Sequence, residues 1–240
     1  YRLRQAIDST KDQSYVLWGL SQDSLKRTIF PLGNYEKPAI RKMAADAGYS
    51  ELANKSESYE ICFIPENDYR AFLKHKVPGL EEKVDGGDFV RTDGTIIGKH
   101  RGYPFYTIGQ RKGLEIALGE PMFVLNINPE TNTVVLGTKD ELERQTMWIR
   151  DYNLVKYAKL PENFSALTKI RYKDAGAMAT LIEEDGKIKV VFHKPVTGVA
   201  PGQSAVFYEG DDLVGGGFID RKVEFLPSAA SIKKNESSKV

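Results

Sequence analysis

The chain has 240 residues, 41% of them apolar and 28% charged, an ordinary globular balance that excludes a disordered chain and a fibre. At a soft prior of about 150 residues per domain, it holds two compact units or one with large attachments. Lys and Arg number 34 against 33 Asp and Glu, so the net charge is +1 and any polyanion must be met by local patches.

The chain opens on Tyr1-Arg2-Leu3-Arg4, which reads as the middle of a strand; with no initiator Met and no signal-peptide pattern, it reads as part of something longer. From Ser14 to Ala47 the periodicity is helical. Tyr15, Leu17, Trp18, Leu25 and Ile29 punctuate one stretch, and Ile40, Met43, Ala44 and Ala47 define a second helix bounded by Pro38 and Gly48. Asn67 is placed to cap a short helix with Tyr69, Phe72 and Leu73 on one face. Glycines then crowd residues 79–113, a segment of turns and short strands with little room for helix. From Met122 the pattern is β. Met122 to Asn128 and Thr133 to Gly137 read as a hairpin, followed by strands at Leu167 to Lys173, Ala177 to Glu183, Lys187 to His193, Ser204 to Glu209 and Leu213 to Ile219. Glu184-Asp185-Gly186 is a good hairpin turn, and the run of short strands predicts a small antiparallel barrel or sandwich. The fold class is therefore mixed α and β: a helical remnant over 1–64, a Gly-rich central domain over 65–140 and the β domain over 141–227. The polar tail, 228–240, should be disordered.

The single cysteine, Cys62, allows no disulfide within this chain and suits a reducing cytoplasm. His75, His100 and His193 are scattered singly, so no zinc site is expected. No apolar run approaches the roughly 18 residues needed to span a bilayer, so no membrane partner is expected. Cys62 itself, within Ile61-Cys62-Phe63-Ile64, fits a small buried hydrophobe; it also fits a reactive thiolate if Lys55 or a helix starting after Pro65-Glu66-Asn67 lowers its pKa. Residues 69–113 carry nine cations against five acids, with Tyr103, Phe105 and Tyr106 interleaved. This composition suits either a surface that follows a nucleic-acid backbone or a solvated loop surface. In the strand expected at Leu167 to Lys173, Lys169, Arg171 and Lys173 would share one face, awaiting an anion or protecting an edge. Pro201-Gly202-Gln203-Ser204 is a turn entering a strand. Gly215-Gly216-Gly217 lies within a strand with no helix after it, so neither is a dinucleotide-type phosphate loop.

Five segments carry a resemblance: Lys11-Asp12-Gln13-Ser14-Tyr15; Ile61-Cys62-Phe63-Ile64; Thr107-Ile108-Gly109-Gln110-Arg111-Lys112-Gly113-Leu114; Pro201 to Tyr208; and Gly215-Gly216-Gly217. In that order, over about residues 1–225, the chain resembles the bacterial tRNA-specific 2-thiouridylases, the MnmA family. The resemblance implies the end of an α/β ATP-pyrophosphatase domain, a central tRNA-contacting domain and a C-terminal antiparallel β-barrel. It implies a sulfurtransferase that uses ATP with Mg to make 2-thiouridine at wobble position 34 of tRNAs for Lys, Glu and Gln, supplied by a sulfur-relay protein. By the same resemblance Cys62 bears the persulfide. Lys11, Asp12, Gln13, Arg171, Tyr172 and Gln203 contact tRNA, and the segment around Gln110, Arg111 and Lys112 is a further candidate contact. The ATP loop and a resolving cysteine belong upstream of Tyr1, so this stretch alone should be inactive. A rival from another class is a β-barrel that grips RNA without chemistry.

Overall fold

A computed structural model of the chain describes residues 1–55, 64, 68–116 and 119–221. Among these the fold is mixed α and β in two compact units. One joins Tyr1–Ser56 to Arg144–Glu224, and the other lies within Glu57–Glu143.

In the N-terminal part of the first unit, the long helical run expected from Ser14 is absent. The chain makes one 3-10 turn at Ser14–Val16, a loop, and the short helix α1 (Gln22–Lys26), whose first turn is capped by the Ser21 hydroxyl accepting from the Ser24 amide. The apolar spacing that suggested a helix has another cause. Leu3, Tyr15 and Leu25 are buried with Val206, Tyr208 and Leu213 of the later strands, so the segment follows the surface of a barrel. The second expected helix is present as α2 (Lys37–Asp46), with Pro38 in its first turn and Gly48 beyond its end at φ +89°, followed by α3 (Ser50–Asn54).

The second unit begins with α4 (Tyr69–Lys76). Its cap among the described residues is Asp68, whose carboxylate accepts from the Arg70 and Ala71 amides; Asn67 lies outside the described residues. A further short helix, α5 (Leu80–Val84), stands in the Gly-rich stretch where little helix was expected. Strands β1 (Gly87–Val90), β2 (Ile96–His100), β3 (Phe123–Asn128) and β4 (Thr133–Gly137) form one sheet in the order β2-β1-β4-β3, with β1 and β4 parallel. Phe89, Phe105, Val124, Val134 and Leu136 fill its core.

Six strands close the barrel of the first unit: β5 (Glu143–Leu154), β6 (Phe164–Lys169), β7 (Ala177–Glu184), β8 (Lys187–Thr197), β9 (Ser204–Glu209) and β10 (Asp212–Ile219). Their order is β10-β5-β8-β7-β6-β9. The β7–β8 turn is the expected one, with Asp185 and Gly186 both left-handed at φ +49° and +72°. Along β7 the burial alternates, Ala179 and Leu181 facing the interior, as in a sheet wetted on one face. Strand β9 differs: Ala205 and Phe207 enter the barrel core while Val206 and Tyr208 are covered by the N-terminal segment, so all four are buried. Each fully buried side chain of this size contributes about 1.5–3 kcal/mol. That double burial ties residues 3–25 to the barrel. The link continues in the backbone: the Leu213 amide donates to the Leu3 carbonyl at 2.9 Å and the Gln5 amide to the Asp211 carbonyl at 2.8 Å.

Two strand expectations are corrected. The strand expected to run to Lys173 ends at Lys169, and Arg171, Tyr172 and Lys173 lie in a turn. Asp174 imposes it: its carboxylate accepts from the Ile170 amide at 3.2 Å and the Gly176 amide at 3.2 Å, its own amide donates to the Arg171 carbonyl, and Gly176 takes φ +87°. Lys169, Arg171 and Lys173 therefore do not form a row across one strand face. The long strand β5 was not anticipated, because its buried positions, Arg144, Met147 and Ile149, sit in a polar stretch.

Candidate nucleic-acid interface

Three of the sequence-derived segments, Lys11-Asp12-Gln13, Arg171-Tyr172 and Gln203, lie within the first unit, and Tyr15, which follows the first of them, contacts Tyr172 of the second and Ser204 beside the third. Tyr15, buried two residues after Gln13, donates its hydroxyl to the Ser204 carbonyl at 2.7 Å, and its ring meets Tyr172 edge-on with centroids 6.1 Å apart. Burial first, and then the Asp174 charge, push its phenol up to about 12 against the opposing effect of Arg171. The hydroxyl thus stays a donor throughout the physiological range.

Asp12 organises the loop that carries Lys11 and Gln13. One carboxylate oxygen accepts from the Ala6 amide at 3.0 Å and the Ser14 amide at 3.2 Å; the other accepts from the Ser14 hydroxyl at 2.7 Å. Ser14 has one hydroxyl proton, and it goes to Asp12. The Tyr208 hydroxyl, 3.1 Å away, must therefore donate to Ser14, completing a relay from Tyr208 through Ser14 to Asp12. Burial pushes the Tyr208 phenol up to about 12, so this donor also keeps its proton. The Lys169 ammonium stands 5.1 Å from the centre of the Tyr208 ring, a cation–π contact that keeps a positive charge beside the same network. Lys11 lies near Asp8 and helps to hold that carboxyl below its usual range, the hydrogen bond from Thr10 being the larger cause.

The Arg171 guanidinium is exposed yet seated. It lies over Gly198, whose absent Cβ would stand 3.2 Å from Nη1 and 3.4 Å from Cζ. Tyr172 is 43% exposed, and its ring packs edge-to-face with that of Tyr15. Gln203 projects from the expected turn before β9: Gly202 takes φ +84° and the Gln203 carbonyl accepts from the Ile219 amide at 2.8 Å. A second anchor converges beside it, where the Trp18 indole donates to the Ser204 hydroxyl at 3.1 Å. Trp18 packs on Gly216, which the sequence shows only as part of a glycine run inside a strand. A cation with a supported aromatic and an amide is a surface able to meet phosphate and a base.

Gln110, Arg111 and Lys112 lie in the second unit. The Gln110 side chain closes its own loop, accepting from the Thr107 amide at 3.0 Å and donating to the Lys112 carbonyl at 3.0 Å, while Arg111 and Lys112 are exposed. Of the nine cations in residues 69–113, Lys74, Arg91, Lys99 and Arg101 are drawn into ion pairs with Glu81, Glu120, Asp88 and Glu115, which reduces the local excess that the sequence shows. Cys62 lies outside the described residues, as does the tail 228–240. Lys55, set beside Cys62 by sequence, is exposed at the end of α3, and Ile64 is buried.

The described residues do not fit ATP with Mg. Among the described residues no group of three or more His, Cys, Asp or Glu side chains could hold a metal ion. The run Gly215-Gly216-Gly217 is inside β10, where added Cβ atoms would stand 2.4 Å from the Asn153 carbonyl, 2.7 Å from the Ala205 carbonyl and 2.5 Å from Ile149. Its glycines serve close strand packing and leave no cradle for phosphate. Also among the described residues, no helix is long and apolar enough to cross a membrane.

Three consecutive family models match the chain: a tRNA methyl transferase HUP domain over residues 1–66, a tRNA methyl transferase PRC-barrel domain over 70–138, and an aminomethyltransferase beta-barrel domain over 144–219. Among curated proteins, the chain is similar to the tRNA-specific 2-thiouridylase MnmA of Cytophaga hutchinsonii, 55% identical over 90% of this chain and 59% of that relative. The proteins of the same name from Amoebophilus asiaticus and Salinibacter ruber are 57% and 55% identical, each over 91% of this chain and over 58% and 57% of their own lengths. The chain thus spans a little under three fifths of the length of these relatives.

Proposed function

The chain belongs to the family of the tRNA-specific 2-thiouridylases MnmA, and from that premise we propose that it is the central and C-terminal portion of a tRNA-uridine 2-sulfurtransferase. The substrates are tRNAs for Lys, Glu and Gln, the product is 2-thiouridine at wobble position 34, and the sulfur arrives from a relay protein as a persulfide on Cys62. In the complete enzyme ATP with Mg would supply the activation of the uridine C2 oxygen; no such step is assigned to the described residues. Residues 1–64 are then the end of the catalytic domain, 65–140 the central domain and 141–227 the barrel, working in the cytoplasm.

This chain's own part is to hold tRNA and to carry sulfur. Arg171 meets phosphate, Tyr172 offers its exposed ring, and Lys11, Gln13 and Gln203 add polar contacts, with Asp12 acting through the loop that it orders. Arg111 and Lys112 supply a second grip. A persulfide is a stronger nucleophile near neutral pH than a thiol. Its terminal sulfur bonds to C2 as the C2–O bond breaks with the activated oxygen leaving. A second thiol then attacks the Cys62 Sγ, so that the transferred sulfur stays on the base and a disulfide remains for reduction. With one cysteine in the sequence, that second thiol must come from outside these 240 residues.

The observation that most supports this reading is that Tyr15, two residues after Gln13, contacts both Tyr172 beside Arg171 and Ser204 beside Gln203. The test is Cys62→Ser in the complete enzyme, assayed for 2-thiouridine and for tRNA affinity. Thiolation should be lost with affinity kept within about tenfold, because the cysteine acts in the chemical step. The 240-residue chain, given ATP, a sulfur donor and unmodified tRNA, should make no product. Near-normal thiolation by the Ser variant would leave Cys62 a buried hydrophobe and the barrel an RNA-binding module.

A further inference from the structure

Tyr15 makes no tRNA contact in the proposed function, yet its position is unusual. It is 8% exposed, so its hydroxyl and ring are committed to protein neighbours. Those neighbours belong to three different stretches of chain. Its backbone continues the loop of Lys11–Gln13 into the 3-10 turn Ser14–Val16, its hydroxyl holds the carbonyl of Ser204 next to Gln203, and its ring packs against Tyr172 next to Arg171. Asp174, which sets the Arg171–Lys173 turn, and Arg171 are both close enough to act on the phenol electrostatically. Segments distant in sequence are thereby locked together by one residue that has little surface of its own to offer a ligand.

We propose that Tyr15 is a positioning residue that holds the Arg171–Tyr172 turn and the Gln203 turn in register with the Lys11–Gln13 loop, so that tRNA meets all three at once. The inference rests on the reading of this surface as a tRNA contact. Rigid placement matters because a polyanion gains from several charge contacts only where each stands ready in the bound geometry. The two arms of Tyr15 are chemically separable: the ring supports Tyr172, and the hydroxyl fixes Ser204.

The experiment measures binding of the 240-residue chain to an unmodified tRNA transcript for Lys at one fixed salt concentration, with Arg171→Ala and Gln203→Ala made on wild-type, Tyr15→Leu and Tyr15→Phe backgrounds. On wild type, Arg171→Ala should weaken binding about tenfold, the loss of a charge contact. On Tyr15→Leu, which removes the ring support, the same change should cost about twofold or less, because the contact is already lost. Tyr15→Phe keeps the ring and lacks the donor. It should therefore retain the Arg171→Ala penalty and lose most of the Gln203→Ala penalty. A general loss of folded protein would scale each pair equally and leave these ratios unchanged, which separates positioning from a merely structural role. An Arg171→Ala penalty equal on wild type and on Tyr15→Leu overturns the inference. If circular dichroism shows that Tyr15→Leu does not fold, the Tyr15→Phe arm decides, and an undiminished Gln203→Ala penalty there overturns it. Absence of tRNA binding by wild type would instead overturn the functional reading, and this inference with it.

Discussion

Gly216→Ala tests whether the N-terminal segment is seated on the barrel by close approach at one glycine. The added Cβ would stand 2.7 Å from the Ala205 carbonyl oxygen, 2.8 Å from Trp18 Cγ and 3.0 Å from Trp18 Cβ. Ordinary carbon contacts are about 3.5–4.0 Å, so Trp18 must retreat by about 1 Å. The Ala205 oxygen belongs to the ladder between β9 and β10 and has little freedom to move. A retreat of that size also breaks the indole hydrogen bond to the Ser204 hydroxyl, now 3.1 Å, and opens the edge-on contact with Phe218 at 5.2 Å. Overpacking costs about 1–3 kcal/mol and the lost hydrogen bond about 0.5–1.5 kcal/mol, while replacing Gly by Ala returns about 0.4–1 kcal/mol through the unfolded chain. The net is a destabilisation of about 0.5–4 kcal/mol, read as a lower urea midpoint. Trp18 is one of two tryptophans, so its release should also raise the acrylamide quenching of the emission. The control is Gly19→Ala, one residue from Trp18, where an added Cβ meets nothing within 4 Å and the midpoint should hold or rise slightly. Equal midpoints and equal quenching for Gly216→Ala and wild type would refute the reasoning.

Two further predictions bear on the same unit. Gly198→Ala should lower tRNA affinity more than Gly186→Ala: both glycines are left-handed, at φ +81° and +72°, and share the backbone strain, but only the first would press a Cβ against Arg171. Equal affinities in a binding titration would mean that the guanidinium seat does not matter. The second concerns acid. The Lys156 ammonium, 2.6 Å from both Asp212 and Glu209, holds both carboxyls below their usual range, and they in turn raise Lys156. Lowered carboxyl values give stability that is present above the unfolded value, about pH 4, and is lost as pH falls through the folded one; the raised Lys156 loses its contribution only as pH rises through its folded value. Urea midpoints should therefore fall more steeply below about pH 4 for wild type than for Asp212→Asn, and parallel pH profiles would remove this cluster from the acid response.

Much of the barrel was legible because its signals are local. The left-handed pair Asp185-Gly186, the alternation along β7 and the matched ends of β9 depend on residues within a few positions of one another, as do those of β4 in the second unit. The helix α2 was legible for the same reason, through Pro38 and Gly48. Two of the three segments of the candidate interface, Lys11–Gln13 and Gln203, were visible as contacts only through resemblance, whereas Arg171 was also marked by its alternation with Lys169 and Lys173, in a strand that ends before it. The buried Tyr208 carried a signal that could have found the Ser14–Asp12 relay: a tyrosine at the end of the apolar run Ala205-Val206-Phe207 must still satisfy its hydroxyl.

The sequence by itself determined the Asp185-Gly186 turn and strands such as β4, β7 and β9, because backbone handedness and side-chain alternation are short-range properties. Only the tertiary structure decided that Tyr15, Leu17, Trp18 and Leu25 line a segment lying on β9 and β10 instead of one face of a helix. Apolar spacing records that a residue is buried, and burial against a curved barrel leaves much the same trace as burial along a helix. Tertiary structure likewise ended β6 at Lys169 and turned Arg171 and Tyr172 onto Gly198 and Tyr15. The Asp174 carboxylate that makes this turn competes with a strand of good β propensity, and the closed barrel gives the turn its advantage, since Arg171 and Tyr172 find their seats only on residues far away in the chain.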